Sequence, residues 1–327
     1  MPEAIMGGFV LRRLIQMVPL LLGITFLTFA IVNLVPGSPI AAIEFNPRAT
    51  PADVQRIKEN LGLDRPWPER YVYWLADVVR GDLGISLINY TPVTDRILNV
   101  LPNTLLLTIS SLTLALGLSI PLGLQAAVKR NSAFDYLLNV ATTVLYAMPT
   151  FWFGLLLILL FAVKFNEWGL PALPVGGMLS LRGESGLLDR IEHLILPAVA
   201  LAGVQLASWT RYIRSSVLEV VRLDFVRTAE AKGLRERTVL YGHAFRNALL
   251  PLVTLIGLTL PELFGGALLI ETIYAWNGVG RLAYDAALSS DYTLIMGTVL
   301  MFAVLTLVAN LLSDVAYALL DPRIRYD

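Results

Sequence analysis

The sequence predicts an all-α integral membrane protein that crosses the bilayer six times. Of the 327 residues, 56% are hydrophobic and only 15% are charged, whereas a soluble domain carries about a quarter charged residues. Basic residues are also concentrated in alternate connecting segments. Finally, six nearly uncharged stretches can cross a hydrocarbon core of about 30 Å, the shorter fourth one only together with its polar ends. They are 14–35, 101–128, 136–163, 194–210, 248–270 and 292–313.

The composition excludes several classes of function. The chain contains no cysteine, which excludes disulfides, thiolate metal sites and cysteine nucleophiles. His193 and His243 are the only histidines and lie far apart in the sequence, so a histidine metal cluster is not expected. The dipeptide Gly-Lys does not occur, which excludes the phosphate-binding loop of an ATPase. Zero formal net charge gives no reason to expect nucleic acid as a partner. We therefore expect any energy source in another subunit, and no cofactor in this chain.

The distribution of basic residues predicts the orientation. With the N-terminus inside, the inner segments hold fourteen arginines and lysines, and the two short outer loops hold four. Segment 36–100 is left out of this count, because loops of that length cross the membrane largely regardless of charge. Both termini are therefore expected in the cytoplasm. The first span, 14–35, is longer than the 7–15 residues of a signal-peptide core, so we expect an uncleaved anchor.

The spans divide the chain into regions. The outer loop is long enough to fold by itself. In it, "TPADVQRIKENLG" predicts a helix with Thr50 as N-cap and Gly62 at its end, and "ERYVYWLADVVRG" predicts a second helix that ends at Gly81. We expect both helices to pack on the outer ends of the spans. The regions are an N-terminal tail with the first span (1–35), the outer loop (36–100), a five-span core (101–318) with a polar inner loop (211–247), and a C-terminal tail (319–327).

Prolines interrupt several of the predicted spans. A proline inside a helix removes one backbone hydrogen bond and bends the helix. Prolines are common in membrane helices, so each one alone indicates little. Together they suit a bundle whose helices must part around a path. Four of the prolines within spans are Pro121, Pro149, Pro197 and Pro261.

Glu262, in "LTLPELFGG", is the one acidic or basic residue inside the six predicted spans. A carboxylate at that depth is costly and normally faces a cavity or a partner. Two interpretations remain open: Glu262 lines a path through the membrane, or the backbone groups freed by Pro261 satisfy it near an interface. Glu271 and Asp314 lie at span ends, where water and lipid headgroups are expected to be available and structural roles are favoured.

The polar inner loop contains a predicted short helix. Asp224 can cap a helix that starts at Phe225, Gly233 can end it, and Lys232 suits its C-terminal dipole. Phe225, Ala229 and Lys232 share one face, and the small residues Ala229 and Gly233 allow close approach of another protein. A basic loop that only sets the topology is the alternative, but it would need no capped helix.

At these residues the chain resembles the permease family of binding-protein-dependent ABC importers, in its dipeptide/oligopeptide/nickel branch. Those permeases share an inner loop with an E-A-A-x-x-x-G pattern that docks into the ATPase subunit. Here "RTAEAKGL" stands at that position, with Arg-Thr-Ala in place of Glu-Ala-Ala and "HAFR" in place of a downstream Leu-Pro motif. The resemblance implies that the residues coupling this chain to the ATPase are Asp224, Phe225, Arg227, Ala229, Glu230, Lys232 and Gly233.

The resemblance extends over essentially the whole chain. Five fragments occur in the family's order: "RRLIQMVPLLLGITFLTF", "LGLDRPWPERYVYWLADVVRGDLGISL", "PTFWFGLLLILLF", "ETIYAWNGVGRLAYDAALSSDY" and "LLDPRIRY". It implies the transmembrane domain of a type I ABC importer in the inner or plasma membrane of a prokaryote. We place Glu262, Pro149 and Trp152 on the translocation path, and Glu271 and Trp276 at an outer gate or binding-protein contact.

The implied partners are a second homologous permease, two ABC ATPases that hold ATP and Mg²⁺, an extracytoplasmic solute-binding protein and membrane lipid. The implied substrate is a short peptide, with nickel, heme or glutathione as the alternative within the same architecture. Two other classes of function are alternatives to this interpretation. A membrane-embedded enzyme would need a polar dyad in the spans, which is absent. A stand-alone secondary transporter or channel would need an ion relay, for which Glu262 alone gives little support.

Overall fold

The computed structural model describes residues 3–34, 50–60, 64–180, 186–232 and 245–320. Within these ranges the chain consists of helices, turns and loops, with one isolated β-bridge between Ile85 and Pro92. The all-α class is therefore confirmed for the described residues. The helices are α1 Glu3–Leu34, α2 Pro51–Asn60, α3 Trp67–Val79, α4 Val93–Val128, α5 Ala133–Ala147, α6 Thr150–Leu157, α7 Leu187–Val220, α8 Asp224–Ala231, α9 Phe245–Ile273, α10 Val279–Leu288 and α11 Tyr292–Leu320.

Six helical stretches in the described residues are long and apolar enough to cross a membrane, as the sequence predicts. One of them is composite: α6 continues into a π-helical segment, Ile158–Lys164, and a last turn, Phe165–Glu167. The prediction of six spans is confirmed, and the third and fourth differ most from their predicted bounds. The stretches are Gly7–Leu34, Val93–Val128, Thr150–Glu167, Leu187–Val220, Leu255–Ile273 and Tyr292–Ala316.

The third span was predicted as one bent helix over 136–163, and this is wrong. Helix α5 ends at Ala147, Met148 has an extended backbone with φ −79° and ψ 134°, and α6 begins directly after Pro149. The pyrrolidine ring disfavours helical backbone angles at the preceding residue, so the proline separates two helices. The membrane-spanning stretch is the second of them, together with its π-helical continuation.

The fourth span is longer than predicted. Helix α7 has 34 residues, which at 1.5 Å per residue gives a length of about 51 Å. The sequence prediction ended at the first charged residues, but the backbone continues through Asp189 at one end and Arg211 at the other. At the inner half α7 lies very close to α4. A Cβ on Gly123 would lie 2.8 Å from both the Ile213 Cβ and the Thr210 carbonyl oxygen.

The centre of the bundle is formed by α4, α7 and α9, with α6 packed against them. Leu107, Leu201 and Leu263, one from each of the three helices, are almost completely buried. Helix α1 lies at the periphery against α11 and α3. It keeps apolar side chains exposed along its length, for example Ile15 and Ile31, as expected for a helix that faces lipid.

Polar contacts at both ends of the bundle show which helix ends lie on the same side. Arg13 near the start of α1 pairs with Asp314 near the end of α11 at 3.2 Å. The first and last spans therefore begin and end on the same side, as the sequence predicts. We call this side the inner end, and the opposite side, where Glu271 contacts Thr104, the outer end. These names follow the orientation predicted from the basic residues.

The outer loop contains the two predicted helices, α2 and α3. Helix α3 packs along α1: the Tyr71 hydroxyl lies 3.0 Å from Thr25 Oγ1 and donates to the Leu22 carbonyl at 3.1 Å. The ring of Phe26 meets that of Tyr71 edge-on. The expected packing against a span is thus confirmed for α3. Its contacts lie near the middle of α1 and not only at the outer end of that helix. Helix α10, between the fifth and sixth spans, was not predicted.

Candidate functional site

The inner loop between α7 and α9 carries the predicted short helix. Helix α8 covers Asp224–Ala231, so Asp224 is its first residue and not the residue before it. Thr228 Oγ1 donates to the Asp224 carbonyl at 2.8 Å, and the Lys232 N–H donates to the Thr228 carbonyl at 3.1 Å. Val226 is 1% exposed and packs on Val220. A buried valine thus fixes the short helix to the end of α7.

The structure describes the side chains of only some of the predicted coupling residues. Asp224 and Lys232 are exposed, as a docking surface requires. The side chains of four further predicted residues lie outside the described part of the chain, although their backbone belongs to α8. They are Phe225, Arg227, Ala229 and Glu230. Gly233, predicted to end the helix, lies wholly outside the described residues, and their roles stay predictions.

A partly buried ion pair ties α5 to the inner end of α7. Arg214 donates from Nε and Nη2 to the two carboxylate oxygens of Asp135 at 2.6 and 2.7 Å. Asp135 also accepts from the N–H of Asn131 at 3.0 Å and from Asn139 Nδ2 at 2.9 Å. These bonds, that from Arg214 above all, hold the pKa of Asp135 below its usual range. The carboxylate is therefore charged at neutral pH, and the pair links the two helices rigidly.

Glu262 lies on an exposed face of α9. Glu262, Gly265 and Leu269 are exposed at spacings of three and four residues, while Leu263 and Ile270 on the other side are buried. Glu262 makes no hydrogen bond or ion pair with any other residue that the structure describes. Within the described residues, the backbone groups near Pro261 therefore do not satisfy this carboxylate.

The break at Pro149 exposes aromatic side chains. Pro149 itself is exposed, and its carbonyl accepts from the Phe153 N–H at 3.0 Å. Trp152, one turn into α6, is 45% exposed. Gly154 faces the opposite way, where its carbonyl accepts from the Tyr274 hydroxyl at 2.8 Å. The two predicted path residues on this span therefore share its exposed side, as does the adjacent Phe151.

Glu271 is the centre of a buried cluster at the outer end. Its side chain is fully buried, and its carboxylate accepts from Thr104 Oγ1 at 2.6 Å, from the Gly280 N–H at 2.7 Å and from the Arg281 N–H at 3.1 Å. Thr104 Oγ1 in turn accepts from the Val279 N–H at 2.8 Å. The first three N–H groups of α10 are thus satisfied by side chains from α4 and α9, because helix α10 begins against them.

The expectation that Glu271 has water and headgroups available is therefore wrong. The chain folds back after α9, so that the turn and the start of α10 cover the carboxylate. Gly278 and Gly280 allow this, since a Cβ on Gly278 would collide with the Glu271 carboxylate. The negative charge lies at the positive end of a helix dipole, which favours it.

Trp276 belongs to the same buried cluster. It is fully buried, and its Nε1 donates to the Asn103 carbonyl at 3.0 Å. Asn103 Nδ2 donates back to the Asn277 carbonyl at 2.7 Å. A role of Glu271 or Trp276 at an outer gate could therefore only be indirect, through the position of the turn between α9 and α10.

A second buried carboxylate joins the outer loop to the last span. Asp291 is 1% exposed and accepts from Ser86 Oγ at 2.5 Å, from the Leu87 N–H at 3.2 Å and from the Leu294 N–H at 3.2 Å. Arg96 lies 3.9 Å from it. The start of α11 is thus held by residues about two hundred positions earlier in the chain.

Sequence reasoning missed Thr104, Asp135, Arg214 and Asp291. One local signal was available: Ser132 accepts from the Asp135 N–H at 3.3 Å, and a serine followed three residues later by an acidic residue marks a helix start. The other partners are separated by dozens to hundreds of residues, and no spacing in the sequence connects them.

Comparison with known proteins places this architecture in a family. Residues 119–326 match the family described as "Binding-protein-dependent transport system inner membrane component". Residues 6–108 match the family described as its N-terminal membrane component. Together the two matches cover almost the whole chain, including the outer loop helices and the inner loop that carries α8.

Curated relatives match this chain over nearly their full length. The oligopeptide transport system permease protein AppB of Bacillus subtilis is 42% identical over 98% of this chain and 100% of that protein. The dipeptide transport system permease protein DppB of Escherichia coli K12 is 39% identical over 97% of this chain and 98% of that protein. The di/tripeptide transport system permease protein DppB of Pseudomonas aeruginosa is 38% identical over 98% and 99%.

A solved structure shares the fold. The crystal structure of an amino acid ABC transporter with histidines superimposes with a TM-score of 0.51 at 16% identity, over 68% of this chain and 94% of that chain. At this identity the likeness concerns the fold alone. Taken with the family matches and the six membrane-spanning helices, it leads to one conclusion: the chain belongs to the family of inner membrane components of binding-protein-dependent transport systems.

Proposed function

We propose that the chain is the permease subunit of an ATP-driven importer of short peptides and forms one half of its translocation path. The observation that carries this proposal is α8, a helix of two turns fixed at the inner end between two spans. Its buried Val226 anchors it to α7, whereas Asp224 in the helix and Lys232 directly after it are exposed. Such a rigid projection transmits movement from a soluble motor to the spans, whereas a soft loop would absorb it.

The other half of the path would come from a second, homologous permease. Glu262 supports this, because its exposed carboxylate lies on an unpartnered face of a membrane helix. A charge at that depth costs about 2–3 kcal/mol or more in lipid, and a water-filled path between two permeases removes the cost. Trp152 and Pro149 lie on the exposed side of α6 and would line the same path.

The peptide substrate is proposed from the relatives, whose names specify oligopeptides, dipeptides and di/tripeptides. The family description adds a solute-binding protein. Two ATPases with ATP and Mg²⁺ complete the proposed complex. Nickel, heme and glutathione, the alternative substrates, find no support in these names.

Purification of a tagged chain from its native membrane tests the composition of the complex. We expect a second permease and an ABC ATPase to copurify in fixed ratio. After reconstitution into vesicles with the solute-binding protein, the complex should accumulate a radiolabelled tripeptide only when ATP is supplied to the ATPase side. A chain that purifies alone, or tripeptide uptake that does not need ATP, would contradict the proposal.

The coupling role is tested by Ala229→Asp, with Ala133→Asp as the matched control. Both changes add a carboxylate at the inner end, but Ala133 is an exposed residue at the start of α5, outside the proposed contact. A buried unpaired charge in an interface costs several kcal/mol. We therefore expect Ala229→Asp, and likewise Gly233→Val, to abolish ATP-driven uptake and loosen the ATPase while both permeases stay paired. Wild-type uptake in both variants would refute the coupling role.

A further inference from the structure

A polar cavity of about 500 Å³ opens near the inner end of the bundle between α5, α7 and α9. This volume lies within the usual range for small-molecule sites. Its wall is hydrophilic, although the helices that form it are membrane spans or their extensions. Lining residues from the three helices include Asn139, Tyr146, Ser208, Arg211, Ser215 and Leu255.

The charge in this cavity comes from Arg211. Arg214 also lines it, but its charge is neutralised by the two short bonds to Asp135. Arg211, three residues earlier on α7, makes no ion pair with any carboxylate in the described part of the chain. Its guanidinium lies over the ring of Tyr146, 5.6 Å from the centroid. Among the described residues, the cavity therefore carries one uncompensated positive charge, held in place by an aromatic ring.

The position of Arg211 argues for a ligand. It lies nine residues before the end of α7, which is about 14 Å along the helix. Because Arg211 directly follows the uncharged stretch 194–210, its exposed guanidinium is expected at the inner boundary of the membrane, where a positive charge in a cleft attracts water-soluble anions. A guanidinium presents parallel N–H groups that match a carboxylate, and the hydroxyl of Ser208 on the same side offers a further donor.

One lining residue of the cavity lies on the same face of α9 as Glu262. Leu255, a lining residue, and Glu262 are seven residues apart on α9, so they share one face about 10 Å apart along the axis. One side of the bundle thus presents a carboxylate near mid-membrane and a guanidinium further inward. A zwitterion with an ammonium group and a carboxylate group complements this pair of charges.

We propose that the cavity binds the carboxylate of the transported substrate, with Arg211 as its charged ligand, when the substrate leaves the path toward the inner end. This inference rests on the proposed function, because it assigns the ligand of the same path. A lipid phosphate has related chemistry, but the wall built largely from polar side chains of α5 and α7 favours a water-soluble ligand.

The absence of cysteine from the chain allows a direct test. Ser215→Cys places one thiol at the exposed rim of the cavity, and its labelling by a small maleimide is timed in the assembled complex. The complex is held in nanodiscs of zwitterionic lipid, without the solute-binding protein. We expect trialanine at ten times its dissociation constant to slow labelling roughly tenfold. Trialanine amide, which lacks the carboxylate, should leave the rate within about twofold, as mass action predicts for a weak ligand.

Variants identify the ligand group. Arg211→Gln in the Ser215→Cys background should abolish protection by trialanine, and Arg211→Lys should restore part of it, because the charge returns without the fork of donors. Arg130→Gln is the matched control: it removes an exposed inner-end arginine outside the cavity and should preserve protection. A melting temperature equal to that of the parent complex shows that Arg211→Gln is folded.

Three results would overturn the inference: no protection by trialanine, equal protection by its amide, or protection that survives Arg211→Gln. Slower labelling on adding anionic lipid, without peptide, would assign the cavity to a lipid phosphate and also overturn it. ATP-driven trialanine uptake is measured on the same purified complex after reconstitution into vesicles with the solute-binding protein. If uptake is absent, the proposed function fails, whereas uptake without protection at Ser215→Cys refutes only the cavity assignment.

Discussion

Glu271 offers the sharpest test of how the outer end is held together. Its carboxylate accepts from Thr104 Oγ1 at 2.6 Å and from two N–H groups of α10 at 2.7 and 3.1 Å, with no exposure to solvent. Glu271→Ala leaves three buried donors without an acceptor. Each unsatisfied group costs about 1–3 kcal/mol, and water that enters the vacated space recovers part of it. We expect a loss of about 3 kcal/mol or more in the free energy of unfolding.

Glu271→Gln separates charge from shape. The amide oxygen keeps the two N–H bonds of α10, but the amide nitrogen cannot accept from the Thr104 hydroxyl, and the favourable interaction with the helix dipole is lost. We expect a loss of about 1–2 kcal/mol. Glu271→Asp shortens the side chain, so the carboxylate cannot reach Thr104 and α10 together, and its loss should lie between those of the other two variants.

The measurement is the thermal unfolding of the purified complex in detergent. The matched control is Glu262→Gln, which makes the same chemical change nine residues earlier on the same helix, at an exposed position. We expect Glu271→Ala to lower the melting temperature by roughly 5 °C or more and Glu262→Gln to leave it nearly unchanged. Equal melting temperatures for the Glu271 variants and the control would refute the reasoning, because a carboxylate that holds α10 to α4 cannot be removed without cost.

Four further predictions concern single features. Gly278→Ala should destabilise the complex by about 1–3 kcal/mol, because its Cβ would collide with the neighbouring carboxylate, whereas Gly117→Ala has open space; thermal unfolding compares them. Asp135→Asn breaks a partly buried ion pair and should cost about 1–3 kcal/mol. Because the pKa of Asp135 is lowered on folding, this contribution should be complete above about pH 4 and lost as pH falls further. A thiol introduced by Asn60→Cys should react only from outside, and reaction from the cytoplasm would refute the orientation. Glu262→Gln should alter which peptides are transported while assembly survives, and unchanged transport of every peptide would make this residue merely structural.

The longest apolar segments could be predicted because their signal is local. A membrane span needs about twenty apolar residues in sequence, and the chain meets this condition in windows that can be counted. Helix α3 was predicted for a similar reason, since its pattern and Gly81, which has a φ of +84°, lie within a few turns. Helix α8 was also predicted from local capping residues. Its boundary differed by one residue, as helix ends commonly do.

The interruption of the third span shows the limit of local reasoning. The proline at 149 was recognised, but a membrane helix can bend at proline and continue, as α9 does through Pro261. Whether the chain bends or breaks depends on how α5 and α6 each pack against α7. The π-helical segment after α6 depends on its surroundings in the same way, because the Phe161 carbonyl accepts from the Leu173 N–H at 3.0 Å in the following loop.

The sequence by itself determined the fold class, the number of spans, the predicted orientation and the family, because these depend on hydrophobicity, charge and local motifs. Only the tertiary structure decided the environment of the charged residues. Glu271, at a span end, is fully buried, because α10 folds back over it. Glu262, in the middle of a span, is exposed. Position along a helix gives the depth of a residue in the membrane, but its burial depends on which other segments pack against it, and those segments lie far away in the sequence.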